Sequence, residues 1–155
     1  MPTTTAQAKV TTGTVVKTML QLSTPSTRQI QLISWGYSID APPATNGVVE
    51  LLQTDVAATV TAHVASGVQP LDPNAPASLL TLGTAATGYT ASAEGSITGT
   101  RVFDVRQLPT TTDLLDFRYQ WMPDERPIIA VSKFLRVRVT TGAATNMTCW
   151  LTWDE

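Results

Sequence analysis

The chain has 155 residues, of which 43% are hydrophobic and only 14% are charged, and its net charge is −2. A chain of this length fits one domain with a sizeable core. The slightly negative net charge excludes the strongly basic surface that binds nucleic acid or an anionic membrane without sequence specificity. No apolar run approaches the length of about 18 residues that a membrane-spanning helix needs. We therefore expect neither nucleic acid nor a membrane among the partners.

Threonine is the most frequent residue, with 27 positions, whereas lysine occurs only at Lys9, Lys17 and Lys133. Threonine is branched at Cβ and packs well on a pleated, half-buried surface, so this composition favours strands. Lysine usually coats exposed helices, and it is scarce here. No apolar pattern with a period of 3.6 residues persists along the chain. The composition therefore predicts an all-β protein.

The first segment, residues 1–13, is rich in threonine, alanine and glutamine. We expect it to form an extended N-terminal arm or an added edge strand, ahead of a folded domain over residues 14–155. An arm of this length spans up to roughly 40 Å when it is fully extended. Thr3, Thr4 and Thr5 are the residues of the arm that we expect to contact neighbouring protein surfaces.

The clearest predicted strand covers residues 28–40. Its apolar residues occupy even positions as far as Leu32 and odd positions from Ile33 onwards, including Trp35. A slip of one residue turns every following side chain to the other face of a sheet. The shift therefore predicts a β-bulge near Ile33 and Ser34, after which Trp35 faces the core.

Residues 66–78 form the most irregular stretch and carry Pro70, Pro73 and Pro76. Proline fixes φ and lacks an amide donor, so this composition predicts a stiff, extended loop on the surface. Such a loop is a segment that can reach across to a neighbouring protein. The three prolines are therefore candidates for contacts with another protein.

Further short strands are predicted at nearly even spacing, with turn residues between them. They cover residues 14–22, 48–54, 58–65, 89–91, 100–108, 116–122, 127–131, 134–140 and 145–154. Many short strands without intervening helical patterns are typical of a β-sandwich or a jelly roll. We therefore predict a single all-β domain, a jelly-roll-like β-sandwich, behind the N-terminal arm.

The alternation of side chains along a strand predicts which tryptophans face the core. In the last predicted strand, Trp153 faces the core, so Trp150 points the other way, between Thr148 and Thr152. An exposed tryptophan beside threonines is a candidate interface residue, because aromatic side chains are enriched at interfaces. Trp121 ends a second aromatic stripe, and the pattern leaves open whether it lies in the core or at a subunit interface.

Little in the sequence indicates catalysis. The single histidine, His63, and the single cysteine, Cys149, exclude paired-histidine and cysteine-cluster metal sites within one chain. His63 alternates with threonines and is predicted at the surface or at a strand edge, and Cys149 is predicted to be a buried thiol. No nucleophile elbow or phosphate-binding glycine loop occurs. We expect no enzyme and no catalytic residues, and a hydrolase using His63 is the least supported alternative.

Two pairs of acids lie at predicted turns. They are Asp113 with Asp116 and Asp124 with Glu125. Carboxylates near a turn can hold calcium through oxygen ligands, but we interpret these acids as exposed turn residues. We therefore expect no metal and no other cofactor. A lone cysteine and the absence of a signal-peptide pattern predict synthesis in a reducing compartment.

Three stretches of the chain resemble a known family. They are ISWGYSID at 33–40 with VELL at 49–52, GSIT at 95–98 with RVFD at 101–104, and KFLRVRVT at 133–140 with WLTWDE at 150–155. Together they resemble the small head decoration, or cement, proteins and minor capsid proteins of tailed bacteriophages. The resemblance covers residues 28–155.

The resemblance implies a structural protein of the virion that is made in the host cytoplasm and decorates the outer surface of the capsid. It also implies a homotrimer that binds the major capsid protein of the same virion, and it offers no catalytic residues. The alternative is a carbohydrate- or receptor-binding β-sandwich module of a phage tail or baseplate. In that alternative, Trp121 and Trp150 with nearby aspartates form a stacking platform.

Overall fold

A computed structural model describes residues 2–6, 9–111 and 115–155, with side chains described from residue 9 onwards. In this part of the chain there are thirteen strands and two short 3-10 helices, Ala65–Gly67 and Pro123–Glu125. The strands are β1 (Pro2–Ala6), β2 (Val10–Thr11), β3 (Lys17–Ser23), β4 (Ile30–Ile39), β5 (Gly47–Thr54), β6 (Thr59–Ala62), β7 (Val68–Pro70), β8 (Gly88–Ala93), β9 (Thr100–Leu108), β10 (Asp116–Gln120), β11 (Ile128–Ile129), β12 (Phe134–Thr141) and β13 (Asn146–Asp154).

The strands form two antiparallel sheets. The seven-stranded sheet has the order β10-β4-β13-β1-β7, with β11 also pairing with β4 and β2 with β13. The six-stranded sheet has the order β6-β8-β3-β12-β5-β9. This arrangement confirms the predicted all-β, sandwich-like domain. The apolar faces of the long strands in each sheet are covered by the other sheet.

The core lies between the two sheets. The seven-stranded sheet contributes Trp35 and Trp153, and the six-stranded sheet contributes Leu51 and Val137, all of them fully buried. Cys149 is also fully buried, as predicted, and burial raises the pKa of its thiol. Since a thiolate is the reactive form of cysteine, this side chain behaves as a small apolar core residue.

The predicted bulge is confirmed. Thr152 of β13 pairs with Ser34, whereas the next residue, Trp153, pairs with Leu32, so Ile33 is the extra residue in β4. The bulge brings both Leu32 and Trp35 into the core, and it gives the seven-stranded sheet a local increase in twist.

The N-terminal segment differs from the prediction of an added edge strand. Pro2–Ala6 pairs with β13 on one side and with β7 on the other, so β1 is an interior strand. The following strand, β2, pairs with the beginning of β13. The physical reason is that β13 needs a partner on the side away from β4, and a threonine-rich strand suits the pleated sheet.

The outer face of the six-stranded sheet carries a buried polar cluster. Arg136 of β12 has no exposed side-chain surface and donates through Nη1 to the Glu94 carboxylate and to the Glu94 carbonyl, both at 3.1 Å. Its Nη2 donates to the Val56 carbonyl. The Thr18 hydroxyl donates to the same carboxylate at 2.6 Å. Arg136 thus holds the segment after β5, which contains Val56, and the segment after β8, which contains Glu94, against the sheet.

Asp55 fastens the neighbouring turn. Its carboxylate accepts hydrogen bonds from the Thr98 hydroxyl, from the Gly99 amide at 3.0 Å and from the Thr98 amide at 3.2 Å. These bonds favour the charged form, and they lower the pKa of Asp55 to about 2.

We expect Asp55→Asn to make the stability of the domain less sensitive to acid. Because the pKa of Asp55 is lower in the folded state, its contribution is present above the unfolded value near 4 and is lost as the pH falls towards about 2. Urea midpoints measured across this range check the effect. Asp124→Asn, at an exposed turn, controls for net charge, and an unchanged acid profile in Asp55→Asn would contradict the assignment.

Candidate interaction face on the seven-stranded sheet

The outer face of the seven-stranded sheet is organised in rows across β10, β4 and β13. Directly paired residues of antiparallel strands lie on the same face, so each row is read from the register. The rows are Asp116–Ser38–Thr148, Arg118–Gly36–Trp150 and Gln120–Ser34–Thr152. The face is therefore rich in hydroxyl groups, with one aromatic ring near its centre.

Trp150 faces away from the core, as predicted, because its neighbours Cys149 and Leu151 are buried. Its indole covers Gly36. A Cβ atom at Gly36 would lie 2.4 Å from Cζ2 of the indole and 2.5 Å from the Phe117 carbonyl oxygen. Only glycine leaves room for the ring at this point of β4, so Gly36 fixes the position of Trp150 on the sheet.

A shallow cavity of about 470 Å³ opens beside the indole. We call it the Trp150 depression. It is lined by Ile33, Ser34, Leu71, Arg118, Gln120, Trp150 and Thr152. The lining thus combines an aromatic ring, a guanidinium group, an amide, two hydroxyls and two aliphatic side chains. Thr148, the third interface candidate of β13, lies one row away, beside Ser38.

Trp121 does not lie on this face. It is a member of the core cluster, its amide donates to the Ile33 carbonyl at 3.0 Å, and the ring of Tyr119 meets it edge-on at 5.1 Å. The predicted stacking platform of Trp121 with Trp150 is therefore not formed. The sequence left open whether Trp121 lies in the core or at a subunit interface, and within this chain it packs in the core.

The proline-rich stretch lies beside the Trp150 depression. Pro70 ends β7 and pairs with Thr3, while Pro73 and Pro76 are exposed in the following loop. Proline suits β7 because this strand lies at the edge of the sheet, where one row of amides has no ladder partner. The Glu155 carboxylate accepts a hydrogen bond from the Leu79 amide at 3.0 Å and so ties the loop to the C-terminal strand.

The threonines of the predicted arm lie in the interior of the sheet. Thr3, Thr4 and Thr5 pair with Trp153, Thr152 and Leu151 of β13. The same three residues pair with β7 on their other side. Their backbone groups are therefore engaged within the chain, and β1 cannot reach across to a neighbour while it is paired in this way.

His63 was predicted at the surface or at a strand edge. It directly follows β6, the edge strand of the six-stranded sheet, but it is buried instead of lying at the surface. Only 8% of the residue is exposed, its ring lies 5.1 Å from that of Tyr89, and burial lowers its pKa. The 3-10 helix Ala65–Gly67 folds over it, and a Cβ atom at Gly67 would lie 2.9 Å from its Nδ1. Strand alternation ends at Ala62, and this turn has no clear signal in the sequence.

Of the acids assigned to turns, Asp116, Asp124 and Glu125 are exposed, and Asp113 lies outside the described residues. Within residues 9–111 and 115–155, no group of three or more histidine, cysteine, aspartate or glutamate side chains is arranged to hold a metal ion. None of the helices that the structure describes is long and apolar enough to cross a membrane.

No family model matches the chain, and no curated protein or solved structure is significantly similar to it. The resemblance to phage decoration proteins therefore stays a prediction, and the function of the chain has to be inferred from its own surface.

Proposed function

We propose that the chain is a non-enzymatic structural protein of a phage virion, which binds the assembled head from outside and stabilises it. It acts as a homotrimer, and its partner is the major capsid protein. The observation that carries the proposal is a segment of the surface, residues 64–82, that presents apolar side chains to solvent on a fixed backbone.

Four large apolar side chains of this segment are exposed. They are Val64, Leu71, Leu79 and Leu82, with exposed fractions of 67%, 60%, 51% and 39%. Several large apolar side chains that are exposed along one segment of the chain favour an interface with another protein. We call residues 64–82 the apolar segment.

The backbone of the apolar segment is held in place before any partner binds. β7 pairs with β1, the Leu79 amide bonds to Glu155, and the Asn74 amide donates to the Asp72 carboxylate at 2.9 Å. Pro73 and Pro76 fix φ between these points. A segment that is already ordered loses less entropy on binding, so its apolar contacts contribute more to affinity.

We expect wild-type protein to co-sediment with empty, expanded capsids made of the major capsid protein of the same virion. The double variant Leu71→Ala/Leu79→Ala is expected to bind at least about tenfold more weakly, because a few buried anchors carry most of the energy of an interface. The matched control is Val102→Ala/Val105→Ala on β9, where both valines are 49% exposed on the other sheet.

Two results would count against the proposal. Wild-type protein that does not bind such capsids would remove the decoration function. Equal binding by the two double variants would remove the apolar segment from the interface. Light scattering of the free protein tests the trimer separately, and a purely monomeric protein at micromolar concentration would count against it.

A further inference from the structure

We propose that the Trp150 depression is a binding site for an acidic glycan, in which a pyranose ring stacks on the indole and Arg118 pairs with a sugar carboxylate. Such a site goes beyond the proposed role on the capsid and does not depend on it. It would be built from an aromatic ring, a cation and a row of neutral polar groups around one open cavity.

The indole of Trp150 is presented as a fixed stacking surface. The ring is held over Gly36, where no other residue leaves room for it, and the half-buried side chain borders the cavity. The face of an indole carries partial negative charge, which favours contact with the weakly positive C–H groups on one side of a pyranose ring. A ring held in place loses little rotamer entropy when a ligand covers it.

The neighbouring row supplies neutral polar groups at a suitable distance. Gln120, Ser34 and Thr152 form the row next to that of Trp150. Residues two positions apart along a strand are about 7 Å apart, which is close to the width of a sugar ring with its hydroxyls. The amide of Gln120 offers both donors and an acceptor, and the hydroxyl of Thr152 offers the same.

The charge of the depression favours an acidic ligand. Arg118 pairs with Gly36 across β10 and β4, so it borders the indole, and it is exposed. It is the sole charged residue among those described as lining the cavity. A guanidinium group donates two parallel hydrogen bonds to a carboxylate, which gives both affinity and orientation.

The size of the Trp150 depression fits one or two sugar residues of a polysaccharide. A volume of about 470 Å³ lies within the range of roughly 300–1,000 Å³ that is usual for ligand sites. The cavity lies on the outer face of the sheet, where a sugar can reach it from solvent. Leu71, from the apolar segment, forms one wall.

The experiment titrates the free protein with a glucuronate-containing oligosaccharide and with its carboxyl-reduced, neutral counterpart. The Trp150 indole N–H resonance in an NMR spectrum reports binding at this site. We expect the acidic ligand to shift this resonance and to bind at least about tenfold more tightly than the neutral one at low salt. Arg118→Gln is expected to abolish that preference and to leave the fold intact, since Arg118 is exposed.

Trp150→Ala is expected to remove binding of both ligands, which is measured by titration calorimetry because this variant lacks the reporting indole. Val105→Ala, on the other sheet, serves as the control that keeps binding. The site is refuted if neither oligosaccharide moves the Trp150 resonance at millimolar concentration. Equal affinities of the wild-type protein for the two ligands, or an undiminished preference in Arg118→Gln, would overturn the role of Arg118. Since no capsid is present, a failed capsid assay leaves these outcomes unaffected.

Discussion

Replacement of Arg136 by alanine is expected to lower the free energy of unfolding by about 3–5 kcal/mol. The guanidinium group is fully buried, and it binds the Glu94 carboxylate together with the carbonyls of Glu94 and Val56. Its removal leaves the half-buried Glu94 carboxylate without its positive partner, and it leaves the two carbonyls without this donor. Urea unfolding followed by tryptophan fluorescence measures the loss.

Arg138 is the matched control, because it lies two residues further along the same strand. It binds Glu50 at 2.9 Å, but both side chains are about one fifth exposed, at 20% and 22%. Partly exposed ion pairs contribute about 0–1 kcal/mol, so Arg138→Ala should have a much smaller effect. Equal losses for the two variants would show that burial of Arg136 has no special importance.

A second variant distinguishes the contribution of the Arg136–Glu94 ion pair from that of the packing of the arginine side chain. Glu94→Ala leaves Arg136 buried without its carboxylate, so it is expected to destabilise strongly on its own. The double variant Arg136→Ala/Glu94→Ala should then cost less than the sum of the two single losses. Additive losses would contradict direct coupling between the two residues.

Trp35→Ala is expected to lower the free energy of unfolding by about 3–5 kcal/mol. Trp35 is fully buried, its ring lies 5.1 Å from that of Phe117, and its Nε1 donates to Asp104 at 3.2 Å. Because Asp104 lies on β9, this hydrogen bond links the two sheets. Alanine removes both the ring and the link.

Trp35→Phe distinguishes the two contributions. Phenylalanine keeps most of the apolar surface and loses the hydrogen bond to Asp104, so a smaller loss of about 1–3 kcal/mol is expected. Val105→Ala, at an exposed position on β9, should change stability by no more than about 0.5 kcal/mol. Equal losses for Trp35→Ala and Trp35→Phe would mean that the ring itself contributes little.

Most strands could be predicted because apolar and polar residues alternate along them in the sequence. The bulge at Ile33 was also predictable, because a change of apolar phase inside one strand requires an extra residue at the point of change. The outward position of Trp150 followed from the same alternation in β13. These features depend on residues that are close together in the sequence.

The remaining features depend on partners far along the chain. Pro2–Ala6 has no apolar alternation, and only its pairing with both β13 and β7 makes it an interior strand. The sequence does not show that the indole of Trp150 packs on Gly36, because the two residues are more than a hundred positions apart. Arg136 alternates with apolar residues and resembles a solvent-facing arginine, until the segments that carry Val56 and Glu94 cover it. Periodicity carries no signal for such coverage.

The central position of β13 determines when the seven-stranded sheet can form during synthesis. In synthesis β1 and β4 emerge long before Asn146–Asp154, yet both depend on that strand as their neighbour. The seven-stranded sheet can therefore close only after the ribosome has released the last of these residues. Pairings between such distant segments form slowly, and apolar strands that wait for them are prone to aggregate. A nascent chain that stalls before residue 146 consequently leaves one edge of β4 without β13, and we expect such a chain to aggregate more readily than the complete one.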